Sequence, residues 1–307
     1  AEIYNDVLFT DAYLTRDGVT TLYAAAPDWP NVLKYFDKVN VMPADQKARI
    51  KYAVSREPLS LVQYVVRNNL PFTDILLAPY TVFTPDSAFL YGVDIAFDDP
   101  TDPTELKPGV LKVTRNGKQL GFPHAGVLSS PMWLNRFPTT PTNRNRARAR
   151  VVFTFSLHTA ILKLGARPLD PSSNITVNPT MNNPSCTVCH AKIDPIAATF
   201  QNYQADNAYT PLDTTELMTW YPDMRLPGFG DDQLPEGEEK KSEQWLAKQV
   251  IADDRFARSA VRIVWKGLTG QDLLGDPFDA AQPDYVAALE AYQVQDRIVK
   301  SIAAKLR

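Results

Sequence analysis

The stretch that decides the reading is Asn183-Pro184-Ser185-Cys186-Thr187-Val188-Cys189-His190-Ala191-Lys192-Ile193-Asp194-Pro195, continuing to Phe200-Gln201-Asn202. Both cysteines of the chain fall in it. They are separated by two residues, and His190 follows directly. That arrangement is the attachment signature of a covalent c-type haem. The spacing has a chemical reason. Two thiols add to the two vinyl groups on one side of a porphyrin, and a helical turn starting there brings the His ring under the iron. His190 offers a neutral imidazole nitrogen, a good ligand for haem iron. The segment from Ser185 to Asn202 is expected to hold a helix.

Three other readings compete for the same residues. A buried or disulfide-bonded Cys pair beside an ordinary His is one. A thioredoxin-like redox pair is another, but it should follow a strand, and here a Pro- and Asn-rich loop from Asn178 to Ser185 comes before it. A structural zinc site needs four ligands, and there is no second Cys pair.

The sixth iron ligand is a choice among several residues. Met224 stands on a Pro-flanked loop, Tyr221-Pro222-Asp223-Met224-Arg225-Leu226-Pro227, and is the residue we assign to it. Its competing role is a gap-filling core Met. His124, Met181, Met218 and His158 are the other candidates, and His158, in the apolar run Phe153–Leu164, is expected to be a buried histidine instead. His190 also needs an acceptor for its second ring nitrogen. The carbonyls after Ile193-Asp194-Pro195 are the expected acceptors, with Asp194 capping the helix that follows. Arg144, Arg146, Arg148 and Arg150 are candidates for propionate partners, against a solvated face with local ion pairs. Phe200, Tyr203, Trp220 and Tyr221 could wall a haem or form plain core.

Outward from the motif, the composition is that of a globular chain: 307 residues, 44% apolar, 22% charged, net charge −3. Nothing in that balance points to nucleic acid or an anionic membrane surface. No run approaches the length of a membrane span. Twenty-five Pro against 13 Gly favours helices joined by stiff, irregular loops. With only two Cys there is no disulfide framework. The chain opens Ala1-Glu2-Ile3, as expected after removal of a signal peptide or within a longer parent.

Helices are expected over Pro43–Lys51 and over Pro58–Asn69, the second with Leu59, Val62, Val65 and Val66 on one face. A loop is expected from Asp98 to Pro108, then a hairpin, Leu111–Thr114 and Gln119–Phe122 about Asn116-Gly117. A long helix is expected over Pro141–Gly165; its early Arg residues oppose the macrodipole and so should have partners. Further helices are expected at Ser242–Ala252, Asp254–Gly267 and Pro283–Leu306, the last with Tyr285, Leu289, Tyr292, Val299 and Ile302 near one stripe. The expected division is an N-terminal helical region, 1–105, and a haem c-binding region, 106–307, the two of which could form one domain. The acidic loop Asp231-Asp232 with Glu236, Glu238 and Glu239 lacks calcium-loop spacing and reads as solvated. No P-loop, dinucleotide-binding glycines or nucleophile elbow is present.

The chain resembles the large bacterial cytochrome-c-like proteins of planctomycetes, myxobacteria and other proteobacteria. The resemblance is carried by Pro71-Phe72-Thr73-Asp74-Ile75-Leu76 with Tyr80-Thr81 and Tyr91-Gly92, and by Ala125-Gly126-Val127-Leu128 through Pro141 and Arg144. It continues through Asn183–His190 with Ile193-Asp194-Pro195 and Phe200-Gln201-Asn202, and ends at Phe256-Ala257, Val261-Arg262 and Gly267-Leu268-Thr269-Gly270. It implies a mainly α protein: a helical cytochrome-c-like haem domain with long Pro-rich loops and a small β-hairpin, located in the periplasm or outside the cell. Many relatives carry a charged residue where His124 stands. The expected function is electron transfer by one covalent haem c to a redox partner protein, through a small, weak interface. The alternatives are a peroxidase- or oxygenase-like enzyme with an open iron and His124 as distal acid–base residue, or a haem-stapled subunit of a larger extracytoplasmic assembly.

Overall fold

The structure is a computed structural model that describes residues 2–4, 8, 42–115, 118–161, 177–203, 209, 224–277 and 279–306. These residues are mainly helical. α1 is Ala44–Ser55 and α2 is Glu57–Arg67, with Pro58 at the start of α2 where a missing N–H costs nothing. α3 is Asp74–Leu77. α4 is Pro85–Tyr91, opened by a Thr84–Ser87 capping box and closed by left-handed Gly92. α5 is Pro131–Arg136, and α6 is Arg146–Val151, continued by a π-helical turn, Val152–Ser156. α7 is Pro179–Asn182, α8 is Pro184–Thr199, α9 is Ser242–Ala252, α10 is Asp254–Thr269 and α11 is Tyr285–Ala303.

The strands form two-stranded antiparallel pairs. β1 (Thr81–Phe83) pairs with β2 (Lys107–Gly109), and β5 (Gly228–Phe229) pairs with β6 (Asp232–Gln233). β3 (Lys112–Arg115) pairs with β4 (Lys118–Gly121), Val113 opposite Leu120 and Arg115 opposite Lys118, which is the expected hairpin. Asn116 and Gly117 themselves lie outside the described residues.

One large core takes Tyr4, Leu59, Phe83 and Leu90 from the N-terminal part, together with Trp133, Phe155, Phe200 and Leu246 from the rest. Residues on both sides of position 105 thus share a core, and β1 pairs with β2 across it. A smaller cluster, Ala257, Val261, Val299 and Ala303, ties α10 to α11.

The observed elements correct several expectations. In α2 the buried stripe runs through Pro58, Leu61, Val62 and Val65, which leaves Val66 at its edge and 61% exposed. In α11, Ala303 is buried and Ile302 is exposed. The long helix expected from Pro141 starts only at Arg146, since Arg144 and Asn145 are left-handed. It ends at the π-helical turn, with left-handed His158 beyond it; residues 162–165 lie outside the described set.

Candidate functional site

The motif lies in the first turns of α8. Pro184 opens the helix, and the side chain of Asn183 accepts a hydrogen bond from Ser185 N at 2.9 Å, satisfying one free N–H of the first turn. The helix then runs unbroken past Pro195 to Thr199. At 3.6 residues per turn, Cys186, Cys189 and His190 share a face with Ile193, Ala197 and Phe200. The last three are buried, and each large one contributes roughly 1.5–3 kcal/mol to holding the helix down. The stripe emerges from the core at its N-terminal end: Cys186, Cys189 and His190 are half-buried. Both thiols are free, and Cys189 Sγ donates to the Ile161 carbonyl at 3.4 Å.

His190 Nδ1 lies 2.9 Å from Oδ1 of Asp194, one turn further along α8. Asp194 is fully buried and takes a two-pronged grip from Arg146 on α6, Nε to Oδ1 at 2.7 Å and Nη2 to Oδ2 at 3.0 Å. Burial pushes the Asp194 carboxyl up, but the hydrogen bonds and charges of His190 and Arg146 together hold it below its usual value. It is thus a carboxylate that accepts the Nδ1 proton of His190, and in a neutral ring held this way Nε2 carries the lone pair that a metal would take. The expectation that Asp194 caps a following helix is overturned. No helix begins there, and Asp194, instead of a backbone carbonyl, is the acceptor for the histidine. The signal was present in the sequence as an i, i+4 spacing of His and Asp.

Three of the four Arg residues have side-chain partners, as the macrodipole argument requires. Arg146 holds Asp194. Arg148 is fully buried and donates to Phe137 O, Asn145 Oδ1, Tyr203 O and Leu134 O. Arg144 Nε donates to Pro141 O, and Arg150 is exposed. Arg146 and Arg148 are committed inside the fold, so the propionate role sketched for them does not stand.

The candidates for a sixth ligand are scattered. His124 is 2% exposed, packs on Phe122 with ring centroids 5.0 Å apart, and accepts from Leu111 N through Nε2 at 2.9 Å. Its neutral ring then carries the proton on Nδ1, so neither nitrogen is available to a metal. Burial pushes its pKa down to about 3, which also removes it as a distal acid–base residue. His158 is exposed, against expectation, because left-handed backbone turns it out of the helix. Met224 is buried in the main core. Met181 is half-buried on α7, which packs against α8 just before the motif. Met218, Trp220 and Tyr221 lie outside the described residues. Phe200 and Tyr203 are core: Phe200 packs on Trp133, and Tyr203 packs on Phe122 and Tyr209.

A cavity of about 290 Å³ lies elsewhere, lined by Leu76, His124, Lys241, Gln244, Trp245 and Lys248 among others. None of Cys186, Cys189 or His190 lines it. Among the described residues, no helix is long and apolar enough to cross a membrane. Comparison with protein-family models, with curated proteins and with solved structures finds no match.

Proposed function

We propose that this chain is an extracytoplasmic monohaem c-type cytochrome that transfers electrons to or from a redox partner protein. The observation that carries the reading is the emergent end of the α8 stripe. Two free thiols and one imidazole share a half-buried helix face that continues directly into the core. The residues fit the group. Each thiol can add its S–H across one vinyl, giving two thioethers one helical turn apart, and His190 Nε2 remains free while Nδ1 is engaged. A porphyrin laid on that face would extend the apolar stripe of Ile193, Ala197 and Phe200. When bound, the haem supplies a one-electron ferric–ferrous couple. The chain's own part is to hold the ring by Cys186 and Cys189, to aim His190, and to shield one side. Met224 remains the proposed sixth ligand, in competition with its core-filling role.

The electron-carrier reading is preferred to the enzyme because the residue named for distal proton transfer, His124, is buried and neutral. The test is the colour of the purified chain. A red protein that keeps its haem through denaturing electrophoresis, with a pyridine haemochrome of two thioether links, is expected. A colourless chain with free or mutually bonded sulfurs overturns the reading. Slow or absent reaction of the ferrous form with carbon monoxide is expected of a carrier; rapid binding would move the choice to an open catalytic iron.

A further inference from the structure

Resting on the haem reading above, we propose that Asp194, clamped by Arg146, is a positioning residue that locks the tautomer of His190 and holds the reduction potential of its iron low. The neutral acceptor a histidine ligand could use instead is a backbone carbonyl, which carries only a dipole. Here the acceptor is a full carboxylate, 2.9 Å from Nδ1 and with no exposed side-chain surface. Water screens it poorly, so its field at the imidazole is stronger than that of a surface Asp. A negative charge behind the ring makes Nε2 a better electron donor and favours the ferric state, which carries one more positive charge.

Arg146 is the second half of the device. Its two parallel hydrogen bonds fix the plane of the carboxylate and offset the cost of burying it. It also cancels part of the charge that the histidine senses, so it moderates the effect it makes possible. The bond is built across two helices, α6 supplying Arg146 and α8 supplying the other two residues. The competing account is an ion pair that merely ties α6 to α8. That account needs no contact with His190 and makes no statement about potential.

The two accounts separate in a potentiometric titration of the full-length, haem-loaded chain and its variants. Asp194→Asn keeps the shape and removes the charge. It should raise the midpoint by at least a tenfold change in the ferric–ferrous ratio, about 59 mV for one electron. Arg146→Gln removes the counter-charge and should lower the midpoint. Opposite signs support the proposal, and a lowered iron–imidazole stretching frequency in Asp194→Asn is expected alongside them. Unmoved midpoints, or two shifts of the same sign, overturn it in favour of a plain helix tie. If Asp194→Asn fails to fold, Arg146→Gln decides alone: downward supports, unchanged or upward overturns. A colourless wild-type protein sinks the haem reading as well, whereas a red protein with unmoved potentials sinks this inference only.

Discussion

The hydroxyl of Tyr91 donates a hydrogen bond to Oε2 of Glu57 at 2.8 Å, deep inside the core, where Glu57 is only 1% exposed. Burial pushes the Glu57 carboxyl up to about 7, although bonds from Tyr91, Met132 N–H, Ser130 and Thr81 pull it the other way. The folded state therefore holds a proton between about pH 4.5 and 7 that the unfolded chain has already released. With more protons on the folded side, stability falls as pH rises through that window and levels off above it. The full effect is on the order of 3 kcal/mol. Glu57→Gln should flatten this part of the profile, as measured by urea unfolding at pH 5, 6 and 7. An unchanged slope would show that Glu57 is not the group responsible.

Glu243 extends the same decline to higher pH. It is fully buried, its Oε1 has no hydrogen-bond partner among the described residues, and burial pushes its carboxyl up to about 8. The sign is the same as for Glu57: the folded chain holds a proton from about pH 4.5 to about 8 that the unfolded chain has released, so stability falls as pH rises through that window and levels off above it. Glu243→Gln removes this decline, so its stability relative to wild type is expected to rise between pH 5 and pH 8. Equal melting shifts at the two pH values would contradict this.

Arg148 joins four acceptors supplied by Leu134, Phe137, Asn145 and Tyr203. Replacing it with Met keeps most of the volume and orphans three buried carbonyls at once. A loss of about 3 kcal/mol or more is expected, since each orphaned buried group costs about 1–3 kcal/mol. Arg148→Lys should recover only part of this, because an ammonium cannot span the fork. Full rescue by Lys would show that charge, and not geometry, is what matters.

Gly126 has φ +51°, and a Cβ there would run into the backbone carbonyl of Ile75. The same contact places Val127 N on Ile75 O at 2.8 Å and Gly126 N on Ala78 O at 3.1 Å. Gly126→Ala should cost about 2 kcal/mol or more, from left-handed strain plus the displaced backbone. A melting temperature within a degree of wild type would refute the close approach.

Cys186→Ser and Cys189→Ser each leave one thiol on the α8 face. Each single variant should give a haemochrome band shifted toward that of one thioether link, and the double variant should lose its haem on denaturation. Retention of covalent haem by the double variant would exclude these sulfurs as the attachment points.

Sequence spacing alone determined what lies along one element. It brought Cys186, Cys189 and His190 onto one helix face, placed most helices within a few residues of their ends, and paired Val113 with Leu120. These are local facts, set by a period of 3.6 or 2 and by capping residues. Tertiary structure decided whom each side chain meets. Leu111 N uses up His124 across a turn, Tyr203 O takes Arg148 from a helix far away in sequence, and Arg146 reaches Asp194 from another helix. Asp194 sits between the two regimes. Its spacing to His190 could be read from the chain, but its role as a buried carboxylate required α6 to pack on α8, because only packing excludes the water that would otherwise have capped and screened it.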